Sequence, residues 1–175
     1  MSDFEKMIDR QQELQNKIDA SVKSGEAEIT KALTFLIEDK GYGVEIPYVK
    51  EILGVPHITK VPGVPDYIKG IINVRSKVVP IVNVRRRFGK EEIEVDEKTC
   101  TIIAEYKDVS VGLIVDQVLD VLPVRQSNKA NVPALEQVNS SKFIQYILEM
   151  PEGIKLILDV KKLIFDNDSV ISSVE

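Results

Sequence analysis

The sequence predicts an all-β fold with an N-terminal helical extension, its strands shared between two small halves of equivalent structure. Three observations carry that expectation. Beyond Glu28 the chain is a series of short Val- and Ile-rich runs separated by Gly, Pro, Asn and Asp, the alternation of strands and turns. Ahead of Ser24 it lacks proline and glycine and spaces apolar residues at helical intervals. The second half then repeats the first in order.

Between Asp3 and Ser24, Phe4, Met7, Ile8, Leu14, Ile18 and Val22 lie three or four residues apart or at multiples of that spacing, which predicts an amphipathic helix interrupted at Gln11 and stopped at Gly25. Residues 1–30 form this extension. Ten strands are expected: Ala32 to Glu38, Tyr42 to Pro47, Val49 to Val55, Ile68 to Val74, Val78 to Val82, Thr99 to Tyr106, Ser110 to Val115, Gln117 to Val124, Phe143 to Glu149 and Ile154 to Leu158. Runs such as GIINV and VGLIV are continuously apolar, so they are buried on both faces or lie between two barrels. Arg85-Arg86-Arg87-Phe88 reads as a short helical turn capping the first barrel. A phosphate-binding role is disfavoured by the net charge of −5, by the neighbouring Lys90-Glu91-Glu92 and by the lack of interleaved aromatics.

The repeat aligns Gly43–Val55 (GVEIPYVKEILGV) with Gly112–Val124 (GLIVDQVLDVLPV) without gaps at an offset of 69. Tyr67–Val74 then overlays Phe143–Met150, and Pro80–Val84 overlays Leu156–Val160, both at an offset of 76. One domain is therefore expected over 31–165, with barrel halves at roughly 42–95 and 99–165, a first strand near 32–38 and a tail at 166–175. About 65 to 70 residues make a marginal core alone, so the halves should share one, leaving an apolar seam where another protein docks.

Catalytic chemistry has little to work with. His57, the one histidine, stands in a proline-flanked turn, and Cys100, the one cysteine, on a strand; a disulfide within the chain is impossible, and a metal site or a cofactor is not expected. No phosphate loop is present, since Gly89-Lys90 is followed by Glu91. Neither a run of about 18 apolar residues nor a signal-peptide pattern occurs, so a cytoplasmic protein is expected, with no membrane insertion. The residues alone leave two classes open: an adaptor that binds other proteins, or a small β-barrel domain that binds nucleic acid or a small ligand. The second requires a basic groove or an enclosed pocket.

Longer motifs bear on that choice. Tyr42-Gly43-Val44 with Ile46, Val49 and Glu51-Ile52; Pro65 with Tyr67-Ile68-Lys69-Gly70, Asn73 and Val74-Arg75; and Val79-Pro80-Ile81-Val82 together resemble the first half of the CheW family of chemotaxis coupling proteins. Val111 to Asp116 with Val118 and Asp120-Val121-Leu122, and Ile157 to Val160 near Leu163, resemble its second half, so the likeness runs from about Leu33 to Phe165. Two positions depart from the family pattern. Ser76 stands where a glycine usually follows the arginine, and Gln145-Tyr146-Ile147 where a glycine is common.

The resemblance implies two intertwined five-stranded barrels of the SH3 type and a non-enzymatic adaptor in chemoreceptor arrays. Its partners would be the cytoplasmic tip of a methyl-accepting chemotaxis protein, the regulatory domain of the histidine kinase CheA and other copies of the coupling protein; nucleic acid is not among them. Carried over residue by residue, it implies a kinase-binding face at Glu51, Ile52, Arg75 and Lys69. It implies a receptor groove at Ile46, Val49, Ile68, Gly70, Val74, Cys100 and Val121, and a second kinase or ring contact at Pro133 and Leu135.

Overall fold

All ten expected runs become strands, with ends displaced by at most three residues, and their register is set by small repeated devices. The computed structural model describes residues 3–23, 30–132 and 141–165. The strands are β1 (Thr30–Ile37), β2 (Lys40–Glu45), β3 (Val49–Leu53), β4 (Ile68–Val74), β5 (Lys77–Asn83), β6 (Cys100–Tyr106), β7 (Val109–Val115), β8 (Gln117–Val124), β9 (Lys129–Ala130), β10 (Ile144–Met150) and β11 (Gly153–Leu158). Three helices accompany them: α1 (Asp3–Lys23), α2 (Val84–Arg87) and α3 (Val160–Phe165). One sheet runs β8-β1-β2-β11-β10-β9 and the other β3-β6-β7-β5-β4. Pairing is antiparallel except for β2 with β11 and β5 with β7.

The sequence repeat explains this order. Strands β6, β7, β8, β10 and β11 are the counterparts of β1, β2, β3, β4 and β5, and exchanging each for its counterpart turns β8-β1-β2-β11-β10 into β3-β6-β7-β5-β4. Each sheet therefore takes two strands from one repeat and three from the other, so the sheets cut across the sequence halves 42–95 and 99–165. Neither ladder closes by hydrogen bonds among the described residues, but both curl. In the five-stranded sheet an ion pair joins the ends, Arg75 at the β4–β5 turn and Glu51 on β3. In the other, Val124 of β8 shares a buried cluster with Tyr146 and Leu148 of β10.

Equivalent residues do equivalent work. Gly112 pairs with Ile81 across the parallel ladder and Gly43 with Ile157; a Cβ at either glycine would lie 2.4 or 2.8 Å from that isoleucine's Cδ1, so both positions exclude side chains for close packing. Asn83 caps α2 by accepting the Arg86 N–H, and Asp159 caps α3 by accepting the Lys162 N–H, each bond 3.1 Å. Their own N–H groups donate to the carbonyls of Tyr67 and Phe143, again a repeated pair.

The largest core lies between the sheets. Leu33, Phe35 and Val44 from one meet Ile52, Ile102 and Leu113 from the other, while two smaller clusters fill the individual barrels. A chain of rings, Phe35, Tyr42, Phe88 and Phe143, runs through this shared core with centroids 5.4–6.2 Å apart. The shared core is what lets two short barrels stand together.

The structure resolves both departures from the family pattern. Ser76 adopts positive φ beside Arg75 (67° and 50°), a two-residue turn normally built on glycine, and its N–H is held by the Asn73 carboxamide oxygen at 3.0 Å. Arg75 thus lies in the hairpin turn just beyond β4. Tyr146 points into its barrel beside Ala32, Leu148 and Ile157, and its hydroxyl donates to Glu45 at 2.9 Å. Burial, then repulsion by the Glu45 carboxylate and the hydrogen bond to it, raise this hydroxyl well above its usual value near 10. Because the folded value is the raised one, the stabilisation is complete below pH 10 and is lost as pH climbs through the folded value. Tyr146→Phe should cost about 1–2 kcal/mol at neutral pH. In denaturant titrations from pH 7 to 11, the gap from wild type should hold steady to about pH 10 and then narrow.

Candidate functional site

Two surfaces gather most of the expected site residues. The first lies on the five-stranded barrel. Glu51 leaves β3 among apolar neighbours and accepts from Arg75 at 3.0 Å; its side chain is 18% exposed and that of Arg75 85%. A pair so open to water adds little to stability, at most about 1 kcal/mol. Lys69 on β4 reaches Glu92 at 2.7 Å, and Lys50 and Lys77 flank Glu105 at 4.0 and 3.6 Å. Ile52 is buried, and its backbone N–H points toward α1 rather than outward.

The second surface is the trough between the two sheets. Strands β3 and β8 are the free ends of their ladders, and the short turn Ile46–Tyr48 leads into β3. Of the expected groove residues, Ile46, Val49, Ile68, Gly70 and Cys100 are buried, and Val74 and Val121 are half-buried. Cys100 takes a weak hydrogen bond from the Gln11 side chain at 3.7 Å, and burial pushes its thiol up, so it stays protonated and inert. Pro133 and Leu135 lie outside the described residues.

Helix α1 lies on this trough, against β3, β8 and the turn at Ile46. Leu14 and Ile18 are each 1% exposed and join the inter-sheet core, whereas Ile8, expected on the same stripe, is exposed. The docked face is instead Met7, Gln11, Leu14, Gln15 and Ile18, one helical stripe that includes the residue read as an interruption. Gln15 and Arg10 serve the open ladder ends. The Gln15 carboxamide accepts the Ile52 N–H at 3.1 Å and donates to the Lys50 carbonyl at 3.5 Å, while Arg10 donates to the Leu119 carbonyl. Lys17 pairs with Asp120 at 2.8 Å. Burial raises the Asp120 carboxyl, but hydrogen bonds from Lys17 and the Val121 N–H and the charges of Lys17 and Arg10 outweigh it and hold the group below the usual range. Asp120 was not among the expected site residues, although the repeat aligns it with Glu51.

The arginine run is spent inside the fold. Arg85 makes a bidentate pair with Asp116, with bonds of 2.6–3.1 Å, and Asp116 also accepts the Glu38 N–H. Arg86 faces Asp66 and Glu92 at 3.7 and 3.8 Å, and the Arg87 guanidinium stacks between Tyr67 and Phe143, 4.3 and 4.5 Å from the ring centres. The run thus works as a structural clamp, with Arg86 its one exposed member. His57 is exposed on the loop before β4, and among the described residues no group of three or more His, Cys, Asp or Glu side chains could hold a metal ion.

Two rolled sheets joined by a shared core, with an exposed charge face and an apolar trough in place of a catalytic cleft, describe a scaffold that works by holding other proteins. The chain belongs to the CheW-like domain family, whose model matches residues 31–167, and it is a non-catalytic chemotaxis scaffold protein. It is 34% identical over 155 residues to chemotaxis protein CheW of Bacillus subtilis, covering 89% of this chain and 96% of that protein. Identity to chemotaxis protein CheW of Klebsiella aerogenes is 28% over 85% of this chain and 89% of that one. The crystal structure of the scaffolding protein TtCheW from Thermoanaerobacter tengcongensis superposes with a TM-score of 0.73 at 28% identity, over 80% of this chain and 95% of that chain. No helix among the described residues is long and apolar enough to cross a membrane.

Proposed function

We propose that this scaffold couples transmembrane chemoreceptors to the histidine kinase CheA in signalling arrays and works in the cytoplasm. The observation that carries the reading is the presence, in a chain of this family, of an exposed charged pair at Glu51 and Arg75 and an apolar trough bordered by Val49 and Val121. The kinase's regulatory domain takes the first, with Lys69 at its margin and Ile52 supporting it from beneath. The helical cytoplasmic tip of a methyl-accepting chemotaxis protein takes the second, which comprises Ile46, Val49, Ile68, Gly70, Val74, Cys100 and Val121. Pro133 and Leu135 belong to a second contact, with the kinase or with another copy of the chain in the array.

Reconstitution tests the whole reading. Kinase autophosphorylation is measured with receptor-tip fragments present, with and without the full chain. A rise of at least tenfold that depends on this chain is expected, and an unchanged rate would overturn the proposal.

A further inference from the structure

We infer that α1 is a displaceable strap: an incoming amphipathic helix occupies the trough between β3 and β8 only after α1 has left it. The inference rests on the receptor reading above and adds a regulatory step to it.

The geometry supplies the argument. Helix α1 covers the same strands, β3 and β8, and the same turn at Ile46 that the receptor contact requires. Its hold is narrow, with Leu14 and Ile18 its two fully buried side chains among those described. Further links among the described residues are long polar side chains: Arg10, Gln15 and Lys17 reach β8 and β3, and Gln11 reaches Cys100 of β6. An open cleft of about 460 Å³ also runs along its first half, bordered by Met7, Leu14 and Cys100 on one side and by Lys6, Glu97 and Lys98 toward solvent.

Charge gives the second line of support. In the first repeat, Glu51 has its cation, Arg75, on its own barrel. In the second repeat, the position equivalent to Arg75 is Pro151, and the cation facing Asp120 is Lys17 of α1. The carboxylate at the rim is thus served by the strap. The helix that replaces α1 should reproduce what α1 presents: an apolar pair four residues apart, as Leu14 and Ile18, with a basic residue one position before the second, as Lys17.

The test uses the full chain. Lys17 and Asp120 are both about half-exposed, so a Lys17→Cys/Asp120→Cys variant that also carries Cys100→Ala can be bridged by a short thiol-to-thiol cross-linker with no competing cysteine. The probe is a soluble helical-hairpin fragment of a chemoreceptor's cytoplasmic tip, titrated against the bridged and unbridged forms of the same variant. Bridging should weaken binding about tenfold or more, and Leu14→Glu, which loosens α1 in an otherwise intact chain, should bind more tightly than wild type. Equal affinity of the bridged and unbridged forms would overturn the strap and leave the receptor reading standing. Binding by none of the forms, wild type included, would overturn the receptor reading and the strap with it. Amide exchange in the saturated complex gives an independent readout: α1 should lose protection while β6 and β7 keep theirs, and retained protection of α1 would also overturn the strap.

Discussion

Gly70→Ala is expected to destabilise the protein by about 3 kcal/mol, because two costs meet at one atom. Gly70 sits at φ +144° where β4 bulges, a conformation that side chains strain to adopt. A Cβ there would stand 2.1 Å from the carbonyl oxygen of Thr59, and that oxygen is fixed because the Thr59 and Ile71 backbones exchange hydrogen bonds of 2.8 and 2.9 Å. The flanking segment has to move. Thermal unfolding should show a fall in Tm of about 6–12 °C for a chain of this size, and a fall below 2 °C would mean that the bridge at Thr59 yields freely. The repeat explains why glycine is needed here and not at Tyr146, its counterpart: β10 bulges at the same place, but the Tyr146 side chain turns inward toward Glu45.

Arg75→Glu is expected to leave the fold unchanged and to damage assembly with the kinase. The Arg75 side chain is almost wholly in water, and its pair with Glu51 is correspondingly weak, so stability should stay within about half a kcal/mol of wild type. At an interface the same charges are stripped of water, and losing one partner costs about 2–5 kcal/mol, some thirtyfold or more in affinity. The measurement is a titration against the kinase's regulatory domain at fixed salt, with melting recorded in parallel. Lower melting would make Arg75 a structural residue, and unchanged melting with unchanged affinity would remove this face from the kinase contact. Receptor-tip binding should be less affected, because the Arg75 side chain stands in water on the hairpin turn while its neighbour Val74 in the proposed groove is half-buried.

Strand positions were legible in the sequence because β-branched runs broken by turn residues have few other solutions. The repeat was legible because both halves need the same glycine against the same isoleucine and the same cap on the following helix. The exchange of strands between sheets was not, since the partners of β2 and β7 are set by contacts far along the chain that leave no local pattern. Strand β9, two residues long, has no periodicity to detect. The glycine-free turn at Arg75-Ser76 was not legible, because Asn73 holds it together through a side-chain bond that hydropathy cannot register. The docked face of α1 was hidden for a related reason: Gln11 interrupts the apolar stripe on paper, yet it and Gln15 both face the sheets, Gln11 at Cys100 and Gln15 at the open edge of β3. Asp120 is legible from its alignment with Glu51, because the repeat carries charge as well as apolar positions.

The interlocked sheets also impose an order of events on the chain as it is made. Strands β3 to β7 occupy one uninterrupted stretch, Val49 to Val115, and can pair as soon as that stretch is synthesised. The other sheet is split around it. Its hairpin, β1 with β2, emerges early and must wait for β8 and then β11, whose Lys155 is the parallel partner of Gly41. Closing so long a connection in an open chain costs entropy, and long-range pairing of this kind is slow. Once Val49–Val115 has folded, that connection is no longer a loose loop but a solid body with Glu45 leading in and Asp116 leading out, and the Asp116 N–H already faces the Leu36 carbonyl of β1 at 3.1 Å. The contiguous sheet thus acts as the template on which the split one is completed, and a nascent chain stopped before β8 carries a hairpin with two unsatisfied edges.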